Sequence, residues 1–277
     1  MPANNPSNAG CDVQSPFAPG VASIHRTRFK PRNRLLATLP SQDLLSLWPD
    51  LQPVPLVRGA VLFAADEPLT RVYFVEAGVV SLLAVFEDRT TSEMAMVGRE
   101  GVIGLGTLLG GDAAFGRYVV QAPGLALAIE ASRFRSAVLA SPALRAACDA
   151  YARAFLREAL QIAACNSVHL VEERCVRWLL MSHDRSDGKT LSLTQEYLAA
   201  MLGVCRSTVT VAAGTLQKAG LIRYQRGAIE VLDRAGLEAA ACECYSLIRS
   251  HYCRLPSRSG EPLPSDACER PLSGTFG

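Results

Sequence analysis

The sequence predicts an α+β chain with an N-terminal β-sandwich or jelly roll, a long helix, and a C-terminal winged helix-turn-helix. Three observations carry this. Short strand-like runs fill 51–130, separated by Gly, Pro, Asp or charged pairs. A helical apolar period replaces them after Ala131. From Leu193 to Tyr224 two amphipathic helices flank a glycine, and a short hairpin follows.

At 277 residues the chain exceeds the usual single domain. The pattern divides it into an arm (1–32), a sandwich (33–141), a long dimerisation helix (142–168), the winged helix-turn-helix (169–245) and a tail (246–277). Arm and tail are rich in Pro, Ser, Gly or Asn without periodicity and are expected to be disordered. The cluster Arg26, Arg28, Lys30, Arg32 and Arg34 closes the arm and reads as a solvated basic face or as a contact for DNA or acidic protein. Leu35 to Leu47 reads as one amphipathic helix. Strands are expected at 54–57, 60–64, 71–76, 79–87, 92–97, 118–122 and 125–129.

The formal net charge of +2 is nearly balanced, so nucleic-acid affinity requires a local patch. No apolar run reaches the length of a membrane span, and the N-terminus lacks a signal-peptide core, which predicts a cytoplasmic protein. The nine cysteines are odd in number and scattered, as expected of reduced core residues rather than a disulfide framework.

Leu144, Cys148, Tyr151, Phe155, Ile162 and Cys165 recur at near-heptad spacing. This stripe suits a helix that pairs with its own copy or one that packs on its own sandwich, and Glu158 interrupts it. A hinge at Asn166-Ser167 is expected to lead into a helix over 169–183.

In the C-terminal motif Thr194 is placed to N-cap the first helix, with Glu196 in its first turn where the helix dipole favours an anion. Leu198, Met201 and Leu202 form its buried face, and Gly203 stands at the reversal. Val209, Ala212, Ala213 and Leu216 are the buried stripe of the second helix, which begins near Arg206. Its outward side carries Arg206, Ser207, Thr210 and Lys218, hydroxyls at Ser207, Thr208 and Thr210 suit phosphates or base edges, and no acid occurs between Gly203 and Arg226. An arginine in the first turn of such a helix can engage guanine O6 and N7 with both arms of its guanidinium. Two strands around Gln225-Arg226-Gly227 would bring Arg223 and Arg226 to the DNA backbone. With Thr194 and Gln195 these residues are the candidate DNA-binding set. A helical hairpin with a merely solvated basic face is the plainer alternative.

These residues resemble the DNA-binding domain of the Crp/Fnr family of bacterial transcription regulators. Upstream, Tyr73 to Leu82 and the glycine-rich Gly98 to Gly106 resemble a cyclic-nucleotide-binding fold. The resemblance implies a homodimer joined through a long helix, on a pseudo-palindromic site with half-sites roughly 10 bp apart. It implies double-stranded DNA as partner, RNA polymerase as a further one, and a small-molecule effector that the residues do not identify. Family members that bind cyclic AMP carry a ribose-binding glutamate and an Arg-Ser phosphate clamp. Here Leu105 follows Gly104, and Phe115 and Gly116 precede Arg117 where the clamp aligns, which predicts no cyclic-AMP binding in the usual mode. Many relatives read a base with an arginine five residues beyond the one matching Arg206, and here that residue is Val211, which joins the DNA-binding set as a contact for a thymine methyl or else packs partly inward.

Cys165, His169 and Glu173 share one helical face with metal-ligand chemistry but lack a further ligand, and Cys242, Cys244 and Cys253 form a second candidate cluster. No metal and no cofactor is expected from these patterns. The N-terminal arm has one cysteine, Cys11, unlike the iron–sulfur sensors of the family. Gly104-x-Gly106 lacks the third glycine and the βαβ context of a dinucleotide site, and Asp187 to Thr190 lacks the first glycine of a P-loop. No G-x-S-x-G or H-E-x-x-H occurs, so no enzyme is expected. The alternative is a ligand-receptor module that acts on a protein partner through its C-terminal domain.

Overall fold

The computed structural model describes residues 30–255 apart from 187 and 189, so the expectations for residues 1–29 and 256–277 lie outside the described residues. Asn33 opens the structured chain by accepting from the backbone N–H groups of Leu35 and Leu36. The helix it caps, α1 (Arg34–Thr38), is separate from α2 (Ser41–Leu47). Pro40 at the junction explains why the expected single helix divides, since it disfavours helical backbone in the residue before it.

Six strands form one antiparallel sheet: β1 (Gln52–Leu56), β2 (Val61–Phe63), β3 (Arg71–Val85), β4 (Thr91–Val97), β5 (Val102–Ile103) and β6 (Arg117–Glu130). The order is β1-β6-β3-β4, with β2 also pairing β6 and β5 also pairing β3. Four of the expected strands are thus two long ones. Gly78 and Gly124 read as strand breaks in the sequence, but they are bulges inside β3 and β6. A Cβ on Gly124 would lie 2.0 Å from the Ala77 carbonyl oxygen, and Gly78 has φ +92° with its Cβ direction 2.7 Å from the Ala122 oxygen. The register shifts around these positions twist and bend the ladder without ending it. Phe74, Val75, Val80, Met96, Ile103 and Ile129 fill the interior, and Phe134 of α3 (Ala131–Ala140) meets Phe74 edge-on at 5.9 Å.

Pro142 at the first helical position and Ser141 as its cap start α4 (Pro142–Val168). It runs through Asn166-Ser167, and the chain turns instead at His169 and Leu170 before α5 (Val171–Arg185). Leu144, Cys148, Tyr151, Phe155 and Ile162 are all buried within the chain. The C-terminal domain comprises β7 (Thr190–Ser192), α6 (Gln195–Leu202), α7 (Arg206–Lys218), β8 (Ile222–Gln225), β9 (Ala228–Val231) and α8 (Arg234–Ala240). Its sheet has the order β7-β9-β8. A last helix, α9 (Cys244–Cys253), packs on α4 and α5. Residues 246–253 are therefore helical rather than part of a structureless tail, because Tyr245, Ile248, Tyr252 and Leu255 bury one face.

The helix α5, which leads into the C-terminal domain, is held to the sandwich by polar as well as apolar contacts. Trp178 Nε1 donates to Glu93 Oε1 at 2.8 Å, and Ser81, Gln121 and Ser182 form a buried hydrogen-bonded chain. Arg185 lies between Glu100 at 2.6 Å and Glu158 at 3.2 Å, with its guanidinium 5.3 Å from the centre of the Tyr252 ring. Tyr252 in turn donates a very short hydrogen bond to Glu158. Glu158, the charge that breaks the apolar stripe of α4, thus joins β4–β5, α4, α5 and α9.

Candidate nucleic-acid interface

The two helices of the C-terminal motif are set by their own punctuation. Thr194 Oγ1 accepts from the Tyr197 N–H and caps α6, and Gly203 ends it at φ +64°. Leu198, Met201 and Leu202 of α6 are buried together with Val209, Ala212, Ala213 and Leu216 of α7. That packing leaves the other side of α7 in water. Arg206, Ser207, Thr210 and Lys218 are exposed, Thr208 is half-buried, and Val211 is 63% exposed. The wing turns at Arg226 and Gly227, both with positive φ (48° and 76°), the backbone of a tight two-residue hairpin.

Side-chain bonds fix the geometry of this face. Thr210 Oγ1 donates to Gln195 Oε1 at 2.9 Å and so links α6 to α7. Arg206 Nη1 lies 2.8 Å from Glu196, and Arg223 Nη1 lies 2.8 Å from Glu230. The stretch from Gly203 to Arg226 has no acid in sequence, yet two acids reach it in space, one from α6 and one from β9. Both pairs are exposed, and an exposed pair is worth only about 0–1 kcal/mol, so a phosphate or a guanine edge can displace the carboxylate. The sequence places Glu196 in the first turn of α6 but shows neither its pairing with Arg206 nor that of Glu230 with Arg223, because both pairings form across separate elements. The strand β7 was missed because three residues carry too short an alternation to be read.

Cys205 precedes α7 and is exposed. Hydrogen bonds from the hydroxyls of Ser207 and Thr208 bring its thiol down to about 7. The candidate DNA face therefore carries a partly ionised thiol at the start of its reading helix, which the sequence did not single out.

The expected single helical face of Cys165, His169 and Glu173 is broken by the turn between α4 and α5, and Glu173 is committed elsewhere, since its Oε2 accepts from the Leu170 N–H at 2.9 Å and caps α5. Cys165 and His169 instead meet Cys242 and Cys244 from the α8–α9 junction. Cys253 is not part of this group.

The cyclic nucleotide-binding domain family matches residues 53–141, and the Crp-like helix-turn-helix domain family matches residues 173–240. The chain belongs to the Crp/Fnr family of transcription regulators. Crp/Fnr proteins are regulators and not enzymes. FixK2 of Bradyrhizobium japonicum is 19% identical with a TM-score of 0.60, over 69% of this chain and 98% of that one. The c-di-GMP responsive global regulator CLP of Xanthomonas campestris is 17% identical with a TM-score of 0.58, over 70% of this chain and 100% of its own. A Crp/Fnr transcriptional regulator of Thermus thermophilus is 23% identical with a TM-score of 0.54, over 69% and 98%. At these identities the likeness is one of fold. No curated protein matches the sequence.

The glycine-rich segment Gly98 to Gly106 is packed into the fold. Leu105 is 3% exposed and packs into the core after Gly104, which takes φ +96°. Glu100 is spent on Arg185 and on the Gly98 N–H. Arg117 is exposed at the start of β6, next to a half-exposed Phe115. Among the described residues no single helix is long and apolar enough to cross a membrane.

Proposed function

We propose that this chain is a sequence-specific DNA-binding regulator that acts as a homodimer on a pseudo-palindromic site, and that it does not respond to cyclic AMP in the usual mode. The observation that carries the reading is the exposed face of α7, where Arg206, Ser207, Thr210 and Val211 face solvent on a helix whose other side is buried. Arg206 in the first turn supplies a base-reading guanidinium, and Val211 supplies a methyl-bearing surface for a thymine. Thr194, Gln195, Thr208, Lys218, Arg223 and Arg226 surround them with donors for phosphates.

The expected dimer stripe is consumed inside the chain, so a second copy would use a neighbouring face of α4. Leu156, Leu160 and Val168 are 59%, 62% and 76% exposed there, with Ala163 exposed between them. Leu156, Leu160 and Ala163 fall at helical spacing on one face, and exposed apolar surface of this kind favours a partner helix. Against cyclic AMP stand the buried Leu105, the occupied Glu100, and the absence of a hydroxyl neighbour beside Arg117 on the side of Gly116.

Arg206→Ala tests the reading. Loss of a base-reading arginine is expected to weaken binding to a selected duplex by about 1–3 kcal/mol and to relax specificity at one base pair. If the motif docks a protein instead, the same substitution leaves DNA binding unchanged.

A further inference from the structure

Two segments far apart in sequence bring four metal-ligand groups together. Cys165 lies in the last turns of α4, and His169, whose N–H bonds the Cys165 carbonyl at 3.0 Å, follows one turn later on the same face. Cys242 and Cys244 flank Glu243 where α8 gives way to α9. The four ligand atoms all lie within 4.8 Å of one another. Cys165, Cys242 and Cys244 are 1%, 5% and 1% exposed and form a buried cluster separate from the main hydrophobic core.

Two of the spacings match the edges of a tetrahedral metal site. Cys165 Sγ is 3.7 Å from Cys242 Sγ, and Cys244 Sγ is 3.6 Å from His169 Nδ1. Zn–S bonds of about 2.3 Å and Zn–N bonds of about 2.0–2.1 Å at tetrahedral angles give S···S of about 3.8 Å and S···N of about 3.6 Å. A disulfide would need sulfurs about 2.05 Å apart. Three cysteines buried as small apolar residues would need none of this arrangement.

The surroundings are equally specific. His169 turns Nδ1 toward the sulfurs, and its Nε2 lies 3.3 Å from Glu243 Oε2, the carboxylate–histidine pairing that orients a metal-bound imidazole. Gln161 Nε2 donates to Cys244 Sγ at 3.0 Å. Arg177 is 2% exposed, its Nε has no hydrogen-bond partner, and its charge acts on Cys165. Three thiolates, a neutral imidazole and a divalent cation carry one net negative charge, which that guanidinium would balance.

We propose that Cys165, His169 through Nδ1, Cys242 and Cys244 form a closed tetrahedral site for Zn²⁺ that ties the end of the long helix to the α8–α9 junction. The thiols lose their protons to solvent as the metal binds, and no oxidant or reductant takes part. With four protein ligands the site has no open position for substrate, so its role is to fix the elbow between α4 and α5 against the C-terminal helices. Zinc occupancy therefore couples to the placement of the DNA-reading domain.

The test uses the full-length chain purified with Zn²⁺ present, followed by exchange with Co²⁺. One zinc per chain is expected, and the cobalt form should show a thiolate-to-metal charge-transfer band and the intense visible bands of tetrahedral Co²⁺. Cys242→Ser should lose the site. Glu243→Gln, an exposed position that leaves the four ligands in place, should weaken Zn²⁺ binding by about 10–100-fold. A wild-type chain that retains no zinc and gives no cobalt charge-transfer band overturns the site, whether or not the variants fold. Unchanged Zn²⁺ affinity in Glu243→Gln overturns the assignment of His169 as a ligand. Neither readout depends on DNA, so failure here is distinct from failure of the proposed function.

Discussion

Replacing Arg185 by Met would leave two carboxylates buried without their shared cation. Side-chain exposure is 6% for Arg185, 3% for Glu100 and 0% for Glu158, so water cannot substitute for the guanidinium. Removing one partner from a buried ion pair costs about 3–5 kcal/mol, because the remaining charge keeps its desolvation penalty. The two acids do not share this cost equally. Burial disfavours the charge of Glu100, but Arg185 and the backbone N–H groups outweigh it and hold the group below the ordinary glutamate value. Burial raises Glu158 above that value despite Arg185 and the Tyr252 hydroxyl. In the variant Glu158 is therefore the first to take a proton, and Glu100 carries most of the loss. Glu100 contributes stability that is present above the ordinary glutamate range and is lost as pH falls through its depressed value. The Arg185→Met penalty should thus be largest at neutral pH and shrink toward acid. Urea unfolding followed by tryptophan fluorescence, with Trp178 beside Glu93, reads it. A loss below about 1 kcal/mol at neutral pH, the scale of an exposed pair, would refute a buried lock. So would a loss that does not change between neutral pH and acid.

Three further outcomes follow from the structure. Burial raises Glu93 to about 8, so it binds a proton that the unfolded chain gives up near the ordinary glutamate value. Its contribution is full below that value, declines as pH rises toward about 8 and levels off above it; Glu93→Gln should flatten this part of the stability–pH profile. Gly124→Ala places a Cβ 2.0 Å from the Ala77 oxygen, a backbone clash that should cost at least about 1–3 kcal/mol in denaturant unfolding. Unchanged stability would mean the β3–β6 bulge is not as described. Cys205, brought down to about 7 by its hydroxyl neighbours, should react with iodoacetamide at neutral pH well before Cys148 and Cys175, which burial pushes up to about 12. Peptide mass mapping gives the order, and alkylated protein should lose specific DNA binding.

Much of the C-terminal motif was legible because its information is local. A cap at Thr194, a positive-φ glycine at 203 and a four-residue apolar stripe on α7 each act within a few residues. The sandwich was legible as strands but not as two long bent ones, because Gly78 and Gly124 look like strand ends until each is seen to make room for the other strand's backbone. The apolar period of α4 showed a buried face and could not say what buries it; the answer is the chain itself, with α9 supplying part of the cover. Glu158 looked like a flaw in that face because its partner Arg185 lies 27 residues away. The Cys–His group was half visible. Cys165 and His169 show helical spacing, but Cys242 and Cys244 join them only through the packing of the α8–α9 junction on α4, a contact with no local signature.

The most direct measurement is selection of bound sequences from random duplex DNA by the purified full-length chain, repeated with cell extract to supply an effector. A dimeric reader predicts enrichment of an inverted repeat with half-site centres roughly 10 bp apart, with affinity that falls steeply with salt. No enriched sequence under either condition would contradict sequence-specific DNA recognition by α7.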